Sequence, residues 1–292
     1  MATSNYRYVL ITAARNEEGF IENTIKSMIE QSHLPLKWII VSDQSTDNTD
    51  NIVKQYEKNH PFIELLRIEG SQDRDFASKV YAVQTAYNKL KEIDFDFIGI
   101  LDADITMEKD YYETMLDKFD KDEKLGLAGG AFININEGVA VRMASHPYSV
   151  RGAVQLFRRK CYEDIGGLIP LRWGGEDGIA CVAVRMKGWK VQTFEEQIVY
   201  HHRTTGSVGT NYVTKRIRDG KVEYSLGYIP SFQFIKAFAR WKEKPVFFGI
   251  FFRLAGYWML KLKREKRSIP KELHEYFKIE QKSRMMNSFK LF

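Results

Sequence analysis

The feature that most constrains this chain is an alternation of two hydrophobic periods over its first hundred residues. The stretches "YRYVLITA", "KWIIVSD", "FIELLRI" and "FDFIGILDAD" are short apolar runs rich in β-branched and aromatic residues, as strands are. Between them, "EGFIENTIKSMIEQS", "NTDNIVKQYEKNH" and "ASKVYAVQTAYNKLKE" repeat their apolar residues at helical spacing. Strands alternating with helices at this interval predict βαβ units, right-handed crossovers and a mainly parallel sheet. Ligands of such sheets bind beyond the carboxyl ends of the strands. That directs attention to Arg15, Asn16 and Glu17 after the first run, Asp43 after the second, and Asp102 and Asp104 after the fourth.

With 292 residues, 44% hydrophobic and 28% charged, the chain is an ordinary globular protein rather than a disordered or polytopic one. The two cysteines, Cys161 and Cys181, lie in helix-like segments without paired or metal-ligand spacing, so buried free thiols and a reducing compartment are expected. The start, "MATSNYRYVLITAARNEE", lacks a basic region followed by an apolar core, and the cytoplasm is the expected location. The net charge of +6 is concentrated late, in "RWKEKPVFFGIFFRLAGYWMLKLKREKRSIPKELHEYFK". Its apolar part, Val246 to Leu260, is interrupted by Arg253 and is shorter than the ~20 residues that span a bilayer. A basic, aromatic, amphipathic helix fits either an interfacial membrane contact or packing on the protein's own core.

In "ILDAD", strand alternation would place Asp102 and Asp104 on one side, about 7 Å apart, where they could share a cation. Hard oxygen ligands suit Mg²⁺ or Mn²⁺, whose shell is commonly completed by water and substrate phosphate. The alternative is that Asp104 caps a helix beginning near Met107 and Asp102 is a solvated strand end.

The motifs "LITAARNEE", "VSDQSTDNT", "SKVYAVQ", "LDADI", "GAVQLFRRKCYEDIGGL" and "WGGEDG" occur in this order across roughly residues 6 to 210. In that order and spacing the chain resembles the family 2 glycosyltransferases, inverting enzymes of GT-A fold. The resemblance implies two abutting Rossmann-like halves around a central mainly parallel sheet, here with a basic helical extension. The expected division is a catalytic domain over residues 1–225 and an amphipathic extension over 226–292. It also implies a nucleotide-sugar donor, usually UDP-linked, bound through Mn²⁺ or Mg²⁺.

Matched residue by residue, the resemblance gives Glu17 and Asp43 contacts to the nucleoside and Lys79 a place facing the base or phosphates. Asp104 becomes the metal ligand, with Asp102 on the ribose or the ion, and Ala13 and Ala103 fall within the donor nucleotide site. The chain departs from the pattern at several of these positions. Ala13 and Arg15 stand where proline and tyrosine are common, Ser42 and Gln44 where aspartate and glycine are usual, and Ser78 and Gln84 replace glycine and asparagine. An Arg15 guanidinium contact in place of base stacking is the expected consequence.

An inverting transfer needs a general base for the acceptor hydroxyl. The resemblance assigns that role to Asp177, with Glu176 beside it binding the acceptor or shaping the site; Trp173, just before the loop, reads either as a flat apolar face for the acceptor sugar or as a core tryptophan. As residues alone, Glu176 and Asp177 also read as acidic charges at a helix N-terminus. After "EQIVY", one of His201 and His202 is expected to add a metal ligand, and Arg203, with Lys215 or Arg216 beyond it, to neutralise the leaving diphosphate. The stretch "TTGSVGTN" reads as a lid. Of Arg158 and Arg159, at least one is expected to be structural. A saccharide or lipid-linked acceptor of surface polysaccharide synthesis is expected, with no nucleic acid partner. A non-catalytic nucleotide-sugar-binding module and a retaining transferase of the same fold remain the alternatives.

Overall fold

The computed structural model describes residues 6–69, 76–136, 138–146, 148–203 and 211–289. The chain divides into two compact units, one of Met1–Arg74, Ser78–Leu168 and Glu176–Thr204, the other of Asp75–Ala77, Ile169–Gly175 and Thr205–Phe292.

The first unit begins with β1 (Tyr8–Ala14), α1 (Ile21–Ile29), β2 (Lys37–Asp43), α2 (Thr49–Glu57), β3 (Ile63–Ile68), α3 (Ala77–Leu90) and β4 (Phe97–Leu101). It continues with β5 (Ile105–Met107), α4 (Tyr111–Lys121), β6 (Leu125–Asn136), β7 (Val139–Arg142), β8 (Val154–Arg158), α5 (Arg159–Asp164), α6 (Glu176–Met186) and β9 (Lys190–His201). The described strands form one sheet in the order β3-β2-β1-β4-β8-β6-β9-β5, with β7 on β6. The expected parallel half is present as β3-β2-β1-β4. Beyond β4 the sheet is mixed: β8 is antiparallel to β4 and β6, β5 is antiparallel to β9, and β6 and β9 run parallel.

The unbroken apolar character of "YVLI" follows from burial on both faces. Tyr8 and Leu10 join a core with Ile21, Ile25 and Met28 of α1, Val53 of α2 and Met115, Leu116 and Phe119 of α4. Val9 and Ile11 join the opposite core with Val80 and Val83 of α3, Tyr162 of α5 and Val184 of α6. Helices therefore cover both faces of the sheet, the arrangement a parallel sheet requires. Cys161 and Cys181 are buried and free, as expected. Because β2 lies on one side of β1 and β4 on the other, the chain order reverses at β1, and the crevice past the ends of β1 and β4 is where an α/β sheet takes ligands.

The second unit contains α7 (Tyr212–Ser225), α8 (Pro230–Ala239), α9 (Phe248–Leu262) and α10 (Lys271–Phe289). Two glycines bring α7 and α9 together. A Cβ on Gly220 would lie 1.9 Å from the Arg253 carbonyl oxygen, and one on Gly256 1.9 Å from that of Ile217. Arg253, which interrupts the apolar run of the sequence, faces inward at 5% exposure and meets Glu223 at 2.6 Å. Burial opposes the Glu223 charge, but Lys236 and Arg253 hold its carboxyl down to about 2. No helix among the described residues is long and apolar enough to cross a membrane.

Candidate active site

The Asp-x-Asp segment does not continue the strand. β4 ends at Leu101, where its pairing with Val154 of β8 stops, and the Asp102 N–H donates to the Ala153 carbonyl at 2.9 Å. The chain turns and leaves as β5, which pairs Ile105 with His201 of β9. No helix starts near Met107; α4 begins at Tyr111 behind Asp110. The two carboxylates therefore part company instead of lying side by side. Asp102 Oδ1 is ion-paired to Lys79 Nζ, which also donates to the Gly152 carbonyl at 3.2 Å. Burial disfavours the Lys79 ammonium, but Asp102, Glu176 and Asp177 outweigh it and hold the group above its ordinary value.

Asp104 turns to the other side. Its Oδ2 lies 3.4 Å from His201 Nε2 and 3.7 Å from Arg203 Nε. Its Oδ1 is buried without a hydrogen-bond partner among the described residues. A buried carboxylate oxygen left unsatisfied is costly unless something else binds there. The register β6–β9 sets Asn134 beside His201, and Asn134 Oδ1 lies 3.1 Å from His201 Nδ1, which orients the ring so that Nε2 faces Asp104. His202 instead pairs with Thr106 Oγ1 at 2.7 Å, and burial lowers its imidazole below the ordinary value. Asp104 and His201 thus fit a hard divalent cation, and a supporting group on the far ring nitrogen is what metal-binding histidines use. Among the described residues no cluster of three such side chains exists, so the rest of a shell would come from phosphate and water.

The loops after β1 and β2 are laced together. Glu17 N–H donates to Thr49 Oγ1 at 2.8 Å, Thr46 N–H donates to Asn16 Oδ1 at 2.8 Å, and Asn16 and Gln44 hold φ of 56° and 54°. The left-handed conformation at Gln44 is the physical reason a glycine suits this place. Arg203 grips Glu17 with both terminal guanidinium nitrogens, Nη1 at 3.1 Å from Oε1 and Nη2 on Oε2. Burial pushes the Glu17 carboxyl up to about 7 against the pull of Arg203, with Asp104 and Asp102 adding to the rise. Asp43 Oδ2 lies 3.4 Å from Arg15 Nη1, so the residues expected after β1 and β2 are brought into mutual reach.

On the other side of Lys79 stands Asp177, in the first turn of α6. Gly174 and Gly175 precede it with φ of 91° and 92°, conformations only glycine holds without strain. Asp177 Oδ2 accepts the Gly152 N–H at 3.0 Å and Oδ1 the Gly178 N–H at 2.7 Å. Each oxygen keeps a further lone pair for a ligand. A Cβ on Gly152 would stand 2.9 Å from the Asp177 Cβ, so this carboxylate is seated against bare backbone. Asp177 also lines an open cavity of about 360 Å³ with Ser145, His146, Ser149, Arg151 and Thr193. Glu176 beside it is raised from the ordinary carboxylate value, chiefly by burial and against the effect of Lys79.

The other expected residues fall as follows. Ala13 is the next-to-last residue of β1, opposite Val41, and is partly buried, whereas the Ala103 side chain is 3% exposed and its carbonyl accepts from Thr24 Oγ1. Trp173 belongs to the second unit, where its Nε1 donates to Glu265 at 3.2 Å and Lys221 lies over its ring. Arg158 lies over Phe97 and Phe119, and Arg159 over Phe95 while binding the Ile93 and Lys91 carbonyls, so both are structural. Arg216 of α7 is paired with Asp219 and Glu243. Lys215 lies on the same helix. In "TTGSVGTN", residues 204–210 lie outside the described residues, and Asn211 caps α7 by accepting the Val213 N–H at 2.9 Å. Asn134 and Thr106 carried no signal of their own in the sequence, and their roles arise from strand register; Gly152 opens the motif "GAVQLF", but its contact with Asp177 comes from the close approach of its backbone to α6.

The family model described as Glycosyl transferase family 2 matches residues 9–183, more than half of the chain. Poly-beta-1,6-N-acetyl-D-glucosamine synthase of Staphylococcus epidermidis is 23% identical over 213 residues, covering 66% of this chain and 47% of that protein. The chain thus spans about half the length of this relative. Among solved structures, S. aureus TarS 1-349 in complex with UDP-GlcNAc matches with a TM-score of 0.56 at 16% identity, over 75% of this chain and 66% of that one. The mannosyltransferase PcManGT from Pyrobaculum calidifontis, in complex with GDP-Man and Mn²⁺, matches with a TM-score of 0.58 at 17% identity, over 99% and 81%. At such identities these two likenesses speak for the fold.

Proposed function

The chain belongs to glycosyl transferase family 2, and on that premise we propose that it is an inverting, metal-dependent transferase acting from a nucleotide-sugar donor, UDP-linked in the simplest case. The acceptor is a saccharide or lipid-linked saccharide of surface polysaccharide synthesis, a reading supported by what the S. epidermidis relative makes. The observation that carries the catalytic part is the seat of Asp177. Two backbone N–H groups orient its carboxylate, and it opens onto a cavity large enough for a sugar.

In this reading Asp177 takes the proton of the acceptor hydroxyl as that oxygen bonds to the anomeric carbon, while the bond to the diphosphate oxygen breaks and its electron pair leaves with the nucleotide. Lys79 holds Asp102 in place for the donor and lends positive charge to the carboxylates on both sides. Glu17, Asp43 and Arg15 border the nucleoside, and Arg203 stands where negative charge gathers on the departing diphosphate. Asp104 and His201 would hold Mn²⁺ or Mg²⁺, which when bound supplies positive charge to the diphosphate. The two buried free thiols support a reducing, cytoplasmic compartment.

Calorimetry with UDP-, GDP- and dTDP-sugars, each with Mn²⁺ and with EDTA, tests the reading. One donor is expected to bind in a metal-dependent manner, Asp104→Ala to lose that dependence, and Asp177→Asn to keep donor affinity while transfer falls about a hundredfold or more. Full transfer by the Asp177 variant would remove it as the base, and binding of no donor would remove the transferase reading.

A further inference from the structure

The cavity on the Asp177 side carries an arginine, Arg151, that has no carboxylate within ion-pair distance among the described residues. Arg151 lines it, donating from Nη2 to the Ala144 carbonyl at 2.9 Å and lying 5.5 Å over the Phe132 ring. Among the described residues it forms no ion pair with a carboxylate, although the Asp177 charge acts on it. Other charged and polar groups nearby are committed. Arg142 pairs with Glu195 at 2.8 Å, Ser145 also donates to Glu195, and Arg185 donates to the Tyr148 carbonyl. The wall also carries the hydroxyls of Ser149 and Thr193, the latter donating to the Ser149 carbonyl at 2.8 Å, and the His146 ring, whose Nδ1 accepts the Tyr148 N–H at 3.3 Å.

A guanidinium pinned at one edge by a carbonyl and at its face by a ring keeps its outer N–H groups in a fixed plane, the geometry that grips carboxylate or phosphate through two hydrogen bonds. Hydroxyl-bearing walls suit a sugar, and Asp177 needs a hydroxyl rather than an anion. We propose that the acceptor unit seated in this cavity is anionic, a saccharide bearing a carboxylate or a phosphate, and that Arg151 selects it by binding that group while a hydroxyl of the same unit meets Asp177. Calling this unit the acceptor rests on the transferase reading; its binding to the cavity does not.

The test is saturation-transfer NMR on the full chain without donor, with glucuronate, glucose 6-phosphate and glucose as probes. At least one anionic probe is expected to bind about tenfold more tightly than glucose, and the one that does distinguishes carboxylate from phosphate. Arg151→Gln is expected to bring that probe to the level of glucose with an unchanged melting temperature, and Arg151→Lys to retain part of the preference. Equal binding of all three probes, or a preference that survives Arg151→Gln, overturns the proposal. Because no donor is present, failure of donor binding would overturn the transferase reading while leaving this result standing, and the reverse also holds.

Discussion

Glu17 is the residue at which site and stability are most directly linked. Its carboxyl, buried beneath Arg203, is raised to about 7 from an ordinary 4.5. Between those values the unfolded chain has ionised while the folded one keeps its proton, so the contribution of Glu17 to stability is full below pH 4.5 and is lost as pH rises through 7. Relative to Glu17→Gln, the wild type is expected to lose stability on the order of a few kcal/mol between pH 4.5 and 7.5 and to level off above. Parallel melting curves across that range would remove the shift. The residue types at this site were legible because carboxylates at strand ends have little structural reason to be there. Their partners were not: Lys79 takes Asp102 and His201 takes Asp104 only because a turn separates two carboxylates that strand alternation would have placed together.

At the level of elements, the site depends on pairing register more than on any helix or strand alone. β5 against β9 brings His201 to Asp104, and β6 against β9 brings Asn134 to His201, over separations of about a hundred and of 67 residues that no local pattern reveals. In the second unit the decisive local feature is small rather than apolar. Gly220 lets α7 meet the backbone of α9, where even a methyl group would overlap the Arg253 carbonyl. Gly220→Ala is expected to destabilise the protein by about 1–3 kcal/mol, read as a lower denaturation midpoint. An unchanged midpoint would mean that α7 and α9 do not pack this closely. The helical periodicity of α9 was readable from the sequence, whereas the inward turn of Arg253 was not, because the carboxylates that make an arginine acceptable on that face, Glu223 above all with Glu243 and Asp219, come from other segments.

For the whole molecule, the excess of positive charge gains meaning from what surrounds it. In the second unit Phe248, Phe251 and Leu262 of α9 are 66%, 68% and 78% exposed, Phe238 of α8 is 58% exposed, and Lys261, Lys263 and Arg264 lie at the end of α9. Aromatic side chains bordered by cations favour the surface of an anionic bilayer. Co-sedimentation with vesicles containing an anionic phospholipid at low salt is expected, reduced about tenfold in Phe248→Ser/Phe251→Ser; indifference to such vesicles would end this proposal. By itself the sequence determined the α/β class, the order of the first four strands and the three helices between them, and the carboxylates available for chemistry. Hydrophobic period and strand-end polarity are local properties, written in consecutive residues. Only the tertiary structure decided which carboxylate meets lysine and which meets histidine, which histidine faces Asp104, and that Gly152 gives Asp177 its seat. Those choices follow from strand register and close backbone approach, which arise when distant segments pack and leave no periodic trace in the chain.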